Sequence, residues 1–199
     1  MSRGKLFILS GPSGSGKGSV LKELRRLRDR FHVSVSATTR DPREGEVHGR
    51  EYYFVSRESF LDMIEKDQLL EYAKYLDCFY GTPLAPVEEK LAAGWDVILE
   101  IDTVGAEKIC AKRPDTPRIF LFPVSFQVLE QRLRARDTET EEKIQKRLSK
   151  GREECRKADA YDYIIINDIL ETAAQELHAI MTAEKCRTAD RIGYVKEEI

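Results

Sequence analysis

A glycine-rich stretch between an apolar run and a helix-forming segment limits the fold of this chain more than any other feature. The apolar run covers residues 6–9, residues 11–18 read Gly-Pro-Ser-Gly-Ser-Gly-Lys-Gly, and helix-forming residues follow at 19–28. A buried strand that turns directly into a helix gathers backbone N–H groups and a helix N-terminus around one point, and this arrangement binds phosphate. Glycines allow the dihedral angles and the close backbone approach that the turn needs. Lys17 adds a positive charge, so we interpret the segment as a nucleotide-triphosphate P-loop.

The end of this P-loop departs from the usual pattern. A hydroxyl residue that helps to hold Mg²⁺ normally follows the lysine, but Gly18 stands there and Ser19 comes next. Either Ser19 reaches the metal, or nucleotide phosphates and water hold most of the ion. The predicted phosphate-binding residues are Gly11, Pro12, Ser13, Gly14, Ser15, Gly16, Lys17, Gly18 and Ser19.

Length, charge and cysteine content favour one domain in the cytoplasm. The chain has 199 residues, which is enough for one domain with a real core. A net charge of −2 does not favour nucleic acid as a partner. No apolar run of transmembrane length and no secretory leader is present. The cysteines lack zinc-site spacing and are too few for a disulfide scaffold; they are Cys78, Cys110, Cys155 and Cys186.

Apolar runs and helical segments alternate along most of the chain. The predicted buried strands are residues 5–10, 96–101, 118–122 and 163–166. The predicted helices are residues 19–28, 84–93, 103–112 and 169–185. This alternation predicts a doubly wound α/β fold with a parallel sheet.

Two segments do not follow the alternation. Residues 36–82 carry turn signals and an aromatic strand at 51–55, so we predict a small mixed α+β insertion there. Residues 126–157 have helical spacing but few apolar positions, so we expect a helix pair with little to bury and therefore mobile. Both segments should project from the carboxyl edge of the sheet, where ligands bind in this fold class. The remaining residues, 1–35, 83–125 and 158–199, then form the core of a single domain.

Two arginines three positions apart suggest a second phosphate site. Arg40 and Arg43 flank a proline turn and can converge on one dianion, because guanidinium groups bind phosphate through paired N–H donors. Tyr52 and Tyr80 can add hydroxyl donors. Arginines near a turn are more often simply solvated, but a second site beside a P-loop indicates transfer between two nucleotides.

Several acidic residues and one basic segment can each be interpreted in two ways. Glu71 is either an exposed helix-end residue or a binding carboxylate. Glu100 and Asp102 follow a buried strand, and either order Mg²⁺ through water or bind a second substrate; Asp102 alternatively caps the next helix. The arginines and lysines of 126–157 are mostly a solvated helix face, from which one or two can reach the transferring phosphate.

Together these residues resemble guanylate kinase, of the nucleoside-monophosphate kinase group. The resemblance runs from about residue 5 to residue 185, and rests on residues 10–19, 34–49, 79–82, 99–102 and 166–168. It implies a three-layer α/β P-loop core with a parallel sheet, a GMP-binding insertion at 36–82 and a helical lid at 126–157. The implied reaction is transfer of a phosphoryl group from ATP to GMP with Mg²⁺, giving ADP and GDP. Nothing in the sequence excludes dGMP as an acceptor.

The resemblance also implies roles for individual residues. Guanine-contacting positions are Ser36, Glu71, Thr82 and Glu100. Positions that contact the GMP phosphate are Arg40, Arg43, Tyr52 and Tyr80. Beside the P-loop, the ATP-binding positions are Arg132 and Asn167, the latter next to adenine. The charges implied to act on the transferring group are Lys17, Arg40, Arg136 and Arg147. The metal candidates are Ser19 and, through water, Asp102.

Three departures and two alternatives accompany this resemblance. Gly18 lacks a hydroxyl, Glu100 stands where many members have Asp, and Asp137 stands where the family often has Gly. One alternative is a non-catalytic, guanylate-kinase-like binding module. Such modules tend to lose the P-loop lysine, which this chain retains as Lys17. The other is a related P-loop kinase with a different acceptor. The expected partners are ATP and GMP, with no nucleic acid or membrane; the sequence does not indicate an oligomeric state.

Overall fold

The computed structural model describes residues 3–75, 77–135 and 140–199 as strands that alternate with helices. In chain order the elements are β1 (Leu6–Ser10), α1 (Lys17–Leu24), β2 (Phe31–Val33), β3 (Ser36–Thr38), β4 (Tyr52–Phe54), α2 (Arg57–Glu65), β5 (Leu69–Tyr75), β6 (Cys78–Pro83), α3 (Leu84–Ala92), β7 (Asp96–Glu100), α4 (Thr103–Lys112), β8 (Arg118–Pro123), α5 (Phe126–Arg134), α6 (Glu141–Cys155), β9 (Tyr163–Asn167), α7 (Leu170–Glu184) and α8 (Thr188–Glu197). They form two compact units. The first unit comprises residues 1–6 and 30–116, and the second comprises residues 7–29 and 117–199.

The second unit is built on the parallel strands β1, β8 and β9. Ile8 lies opposite Arg118 in the β1–β8 pair, and Pro123 lies opposite Asn167 in the β8–β9 pair. Every residue of β1 is buried, as is typical of a parallel strand covered on both faces. Helix α7 packs against both α1 and β9. Because parallel strands end at the same edge, the segments that follow β1 and β8 and the last residue of β9 lie close together.

Helices α5 and α6 of the second unit have their own apolar cluster, and this corrects the expectation that the helix pair has little to bury. Leu129 and Leu133 of α5 form the cluster with Ile144 and Leu148 of α6, and Phe126 packs against it. The four positions recur at the i, i+4 spacing of one helix face. The high charge of the segment hid this stripe, because polar residues fill all the other faces.

The first unit contains the parallel pair β2–β7 and a four-stranded sheet in the order β4-β3-β6-β5. Strand β3 is parallel to β4 and antiparallel to β6. Helix α2 covers one face of this sheet with an apolar cluster that includes Phe60, Ala37 and Leu69. Residues 36–82 therefore contain the mixed α and β structure that was predicted, with β3, β4, β5 and α2 inside that range and β6 ending one residue beyond it, at Pro83.

The predicted α/β class with parallel strands is confirmed, and the differences lie mostly at element ends. Helix α4 has the predicted bounds, whereas α1 begins at Lys17, two residues before the predicted start, because Gly16 adopts a left-handed conformation at the N-cap. Strand β2 and helix α8 were not predicted. Among the described residues, no helix is long and apolar enough to span a membrane.

The apolar cluster of α5 and α6 can be tested by a cavity substitution. Leu148→Ala should lower the free energy of unfolding by about 2–5 kcal/mol, because Leu148 is 2% exposed and its neighbours come from both helices. Leu27→Ala is the matched control; Leu27 is 42% exposed, and its loss should change stability by less than about 0.5 kcal/mol. Chemical denaturation of both variants measures the difference, and equal small losses would contradict a packed helix pair.

Candidate functional site

The P-loop of the second unit has the backbone that phosphate binding requires. Gly11, Gly14 and Gly16 all have positive φ angles, of 148°, 93° and 96°. A Cβ at Gly11 would lie 2.1 Å from the carbonyl oxygen of Leu121, so only glycine fits between β1 and β8. Gly16 is the N-cap of α1 and contributes no side-chain hydrogen bond to the first turn. The first N–H groups of α1 can therefore bind an anion.

Lys17 begins α1 and folds back along the loop. Its Nζ donates to the carbonyl oxygen of Gly11 at 2.7 Å, and more weakly to that of Pro12 at 3.4 Å. Ser19 lies exposed in the first turn of the same helix. Gly18 is also exposed, and a Cβ there would meet nothing within 4 Å. Packing therefore does not require a glycine at position 18.

Arg132 and Asn167 hold the middle of the P-loop from outside it. The side-chain amide of Asn167 donates to the carbonyl oxygen of Ser15 at 2.7 Å, and Arg132 donates to the same oxygen at 3.3 Å. Arg132 also donates to the carbonyl oxygen of Asn167 at 3.3 Å. A Cβ at Gly16 would lie 2.3 Å from the amide nitrogen of Asn167, so this glycine lets the amide reach its acceptor. Both residues predicted for ATP binding thus lie at the loop and help to fix its backbone.

Helices α5 and α6 lie beside the same loop, and we call this helix pair the wall. A Cβ at Gly14 would lie 3.2 Å from both Leu129 and Leu133, and one at Gly151 would lie 3.3 Å from Pro12. Packing this tight shows that the two helices contact the loop through apolar groups as well as charges. Helices α5 and α6 therefore bury apolar surface against the loop as well as against each other, contrary to the expectation of little to bury.

The basic residues of the wall take different positions. Arg147 donates to the hydroxyl of Ser13 at 3.1 Å, which places its guanidinium at the P-loop. Arg134 instead pairs with Glu130 and Glu141 on the surface of the wall. These contacts raise the pKa of Arg134 and lower that of Glu141 to about 2. Arg136, which was predicted to act on the transferring phosphate, lies outside the described residues.

In the first unit, those predicted base-binding and phosphate-binding residues that lie on the four-stranded sheet share one of its faces. Thr38 lies opposite Phe54 on β4 and opposite Tyr80 on β6, while Glu71 on β5 lies opposite Thr82 on β6. Because alternate residues of a strand share a face, the residues on this side include Ser36, Tyr52, Glu71, Tyr80 and Thr82. We call this side the polar face; α2 covers the other side. The sheet therefore has one face that packs on α2 and one that carries the polar side chains.

Glu71 is a buried carboxylate on the polar face. It is 8% exposed, and its Oε1 accepts a hydrogen bond from the Thr82 hydroxyl at 2.8 Å. Burial raises the pKa of Glu71; the Thr82 hydrogen bond lowers it, and the charge of Asp102 raises it further. A Cβ at Gly105 would lie 3.2 Å from Oε2 of Glu71, so the glycine keeps α4 clear of the carboxylate. Glu71 is not the exposed helix-end residue that was the alternative.

The two acids at and just after the end of β7, Glu100 and Asp102, have different environments. Asp102 is the N-cap of α4, and its Oδ1 accepts from the backbone N–H of Gly105 at 2.9 Å, which agrees with the capping alternative. Glu100 is exposed at the end of β7, and its charge raises the pKa of Tyr52, for which burial is the largest cause. Among the described residues, no group of three or more acidic, histidine or cysteine side chains is placed to hold a metal ion.

The two arginines of the proline turn converge on an anion within the chain, the carboxylate of Glu46. Arg40 donates to both oxygens of Glu46 at 2.9 Å, while the backbone N–H of Arg43 donates to Oε2 at 2.7 Å. The guanidinium of Arg40 also lies over the rings of Tyr52 and Phe54. The side chain of Arg43 is exposed.

Glu46, Phe54 and Gly105 belong to these sites but were not among the predicted residues. Glu46 is one of two glutamates in the turn, and spacing alone does not distinguish it from Glu44. The aromatic character of β4 could have indicated Phe54 as a partner for an arginine. No sequence signal connects Gly105 with Glu71, because the two are 34 positions apart and meet only through the packing of α4 on β5.

Comparisons with known proteins agree on one family. The family model described as guanylate kinase matches residues 3–184. A guanylate kinase of Carboxydothermus hydrogenoformans is 46% identical over 194 residues, which cover 98% of this chain and 95% of that protein. A guanylate kinase of Synechococcus is 49% identical over 180 residues, covering 90% and 83%. The crystal structure of guanylate kinase from Anaplasma phagocytophilum is similar with a TM-score of 0.74 at 32% identity, covering 94% of this chain and 89% of that one.

The buried carboxylate of Glu71 should leave a signature in stability against pH. Because its pKa is raised in the folded protein, the protonated form contributes stability that is fully present below the unfolded pKa and is lost as pH rises through the folded pKa. Glu71→Gln should remove this loss of stability with rising pH. Thr82→Val should extend the loss of stability to higher pH, because it removes the hydrogen bond that favours the ionised form. Denaturation across the acidic range measures it; superimposable profiles for wild type and Glu71→Gln would contradict the burial effect.

Proposed function

This chain belongs to the guanylate kinase family, and we propose how its two half-sites carry out the reaction of that family. The enzyme transfers the terminal phosphoryl group of ATP to GMP and releases ADP and GDP. We assign ATP to the P-loop of the second unit and GMP to the polar face of the first unit. On this assignment, residues 36–82 form the GMP-binding segment and residues 126–157 form the lid.

The observation that carries the choice of acceptor is the buried carboxylate of Glu71. Guanine presents two adjacent donors, N1–H and the N2 amino group, and a carboxylate can accept from both. The Thr82 hydroxyl donates to Glu71 and so orients the carboxylate. Adenine has no N1–H and cannot offer two adjacent donors, so it would leave this buried carboxylate short of a donor from the base, and its rejection follows from the cost of that missing hydrogen bond. Ser36 and Glu100 are assigned to the rest of the base, and no described contact discriminates GMP from dGMP.

For the phosphate of GMP we assign the turn that contains Arg40 and Arg43, together with the hydroxyls of Tyr52 and Tyr80. Arginine binds a phosphate through paired N–H donors, and the exposed side chain of Arg43 is available to approach it. The stacking of Arg40 on Tyr52 and Phe54 supports a fixed guanidinium. A fixed charge near the acceptor oxygen assists transfer because it needs no reorganisation during the reaction.

For ATP we assign the loop N–H groups, Lys17 and the basic residues of the wall. No covalent intermediate is needed, since phosphoryl transfer depends on the alignment of the two phosphates and on neutralisation of charge. Lys17 and Arg147 supply that charge from the loop and from α6, and Arg136 is proposed for the same set. Arg132 and Asn167 keep the loop backbone in place.

We propose Mg²⁺ as the metal that accompanies ATP. The ligands present fit this ion only partly, because, of the exposed P-loop hydroxyls, that of Ser13 accepts from Arg147 and that of Ser19 is the candidate ligand, and Asp102 is engaged as a helix cap. Mg²⁺ usually keeps several waters and binds substrate phosphates, so a single hydroxyl ligand is compatible with it. When bound, the ion would neutralise charge on the phosphate oxygens.

None of the cysteines, all within the described residues, is in a disulfide, and we infer a cytoplasmic location.

The substrate assignment is tested with purified enzyme and a panel of nucleoside monophosphates. An assay coupled to ADP release should show rapid turnover with GMP and dGMP and very slow turnover with AMP, CMP and UMP. Lys17→Met should fold normally and lose most of the activity, because the loop backbone remains while the charge on the transferring group is gone. Near-normal turnover of a folded Lys17→Met protein would contradict the P-loop assignment and favour another phosphate site.

The role of the wall is tested by two arginines with different positions. Arg147→Ala should lower kcat strongly, by roughly a thousandfold if it neutralises charge in the transition state, while GMP affinity stays nearly the same. Arg134→Ala is the control, because Arg134 pairs with Glu130 and Glu141 rather than with the P-loop. Steady-state kinetics with both substrates separates the two. Equal losses of kcat would mean that the catalytic face of α5 and α6 is assigned wrongly.

A further inference from the structure

The carboxylate of Glu46 connects the two arginines of the proline turn. It accepts from the Arg40 side chain and from the Arg43 backbone, so one residue fixes a guanidinium and the main chain three positions later. The backbone N–H of Glu46 in turn donates to the carbonyl oxygen of Arg43 at 3.0 Å, which closes the turn. Arg40 also donates to the carbonyl oxygen of Asp41 at 2.6 Å. The turn is thus held by its own carboxylate.

Burial makes this contact different from an ordinary surface ion pair. The side chains of Arg40 and Glu46 are each only 17% exposed, and the rings of Tyr52 and Phe54 lie 5.5 and 5.7 Å from the guanidinium carbon. Burial lowers the pKa of Arg40, but its hydrogen bond to Glu46 and the charge of Glu46 outweigh this and raise it. The Arg43 N–H is the largest influence that lowers the pKa of Glu46. Both shifts favour the ionised forms of the pair.

We propose that Glu46 is a positioning residue for the phosphate of GMP, which holds Arg40 and the Arg43 backbone in the arrangement that receives this phosphate. The inference rests on the assignment of the turn to GMP. Both hydrogen bonds from Arg40 to Glu46 come from Nη2, so Glu46 engages one of the three guanidinium nitrogens and holds the group through it. On this proposal Glu46 supports the phosphate site, and the kinetics below distinguish support from competition with the phosphate.

This role predicts a particular kinetic pattern for Glu46→Gln. The amide keeps the shape but loses the charge, and its NH₂ group replaces one of the two oxygens that accept from Arg40, so it holds the guanidinium less firmly. The KM for GMP should rise about tenfold to a hundredfold, as the loss of a hydrogen bond to a charged group can produce. The KM for ATP should change by less than about twofold, and kcat should fall by a smaller factor than the KM for GMP rises, because Arg40 binds the phosphate in the ground state as well as acting on transfer. Glu44→Gln is the matched control, because Glu44 is an exposed glutamate of the same turn.

Guanosine as a competitive inhibitor separates positioning from a general structural effect. Guanosine has the base but no phosphate, so its inhibition constant should be the same for wild type and Glu46→Gln. Equal weakening of guanosine and GMP would mean that Glu46 only supports the fold of the sheet, and would overturn the proposal. A lower KM for GMP would show that Glu46 competes with the phosphate, and would overturn it as well. An unchanged KM for GMP would also overturn it.

A double-mutant cycle with Arg40→Met tests whether Glu46 acts through Arg40. In the Arg40→Met background, Glu46→Gln should raise the KM for GMP much less than it does in the wild type, because the main group that it positions is gone. Additive effects would contradict the proposal. If Arg40→Met raises this KM but Glu46→Gln does not, the positioning role alone is wrong. If neither changes it, the assignment of the turn to GMP is wrong, and the positioning role is wrong with it.

Discussion

The second unit depends on one constraint, which is the close approach of the P-loop backbone to its neighbouring strands. At Gly11 the chain passes so close to the carbonyl oxygen of Leu121 that no Cβ fits, and at Gly16 it leaves room for the amide of Asn167. The carbonyl oxygen of Ser15 then accepts hydrogen bonds from Asn167, the last residue of β9, and from Arg132 in α5. A loop held in this way presents its N–H groups without further ordering when a phosphate binds, which reduces the entropic cost of binding.

The small sheet of the first unit has two faces of different character. Its covered face packs on α2 through Phe60 and its neighbours, while the polar face carries the carboxylate and hydroxyl groups assigned to GMP. Charges on this unit are balanced locally. Glu71 is paired with Thr82, Arg40 with Glu46, and Asp102 with the first turn of α4. Buried charges need such partners, because an unpaired charge in a low-dielectric site is costly.

Much of the fold follows from local patterns in the sequence. The parallel strands, the P-loop, α4 and the mixed structure of 36–82 were predicted because apolar runs and glycine turns act over a few neighbouring residues. The apolar cluster of α5 and α6 was missed because four apolar side chains in a highly charged segment do not stand out until both helices are placed side by side. Strand β2 was missed because three residues are too few for a periodic signal.

The sequence by itself determined the family and the glycine-rich loop, and it predicted the residues for each substrate, since these depend on motifs with fixed spacing. Only the tertiary structure decided which groups pair. It placed Glu46 rather than Glu44 on Arg40, brought Gly105 against Glu71, and made Asp102 a helix cap. Such pairings depend on strand register and helix packing over tens of residues. A difference of one position along a strand turns a side chain to the opposite face, and the order of residues along the chain does not specify that geometry.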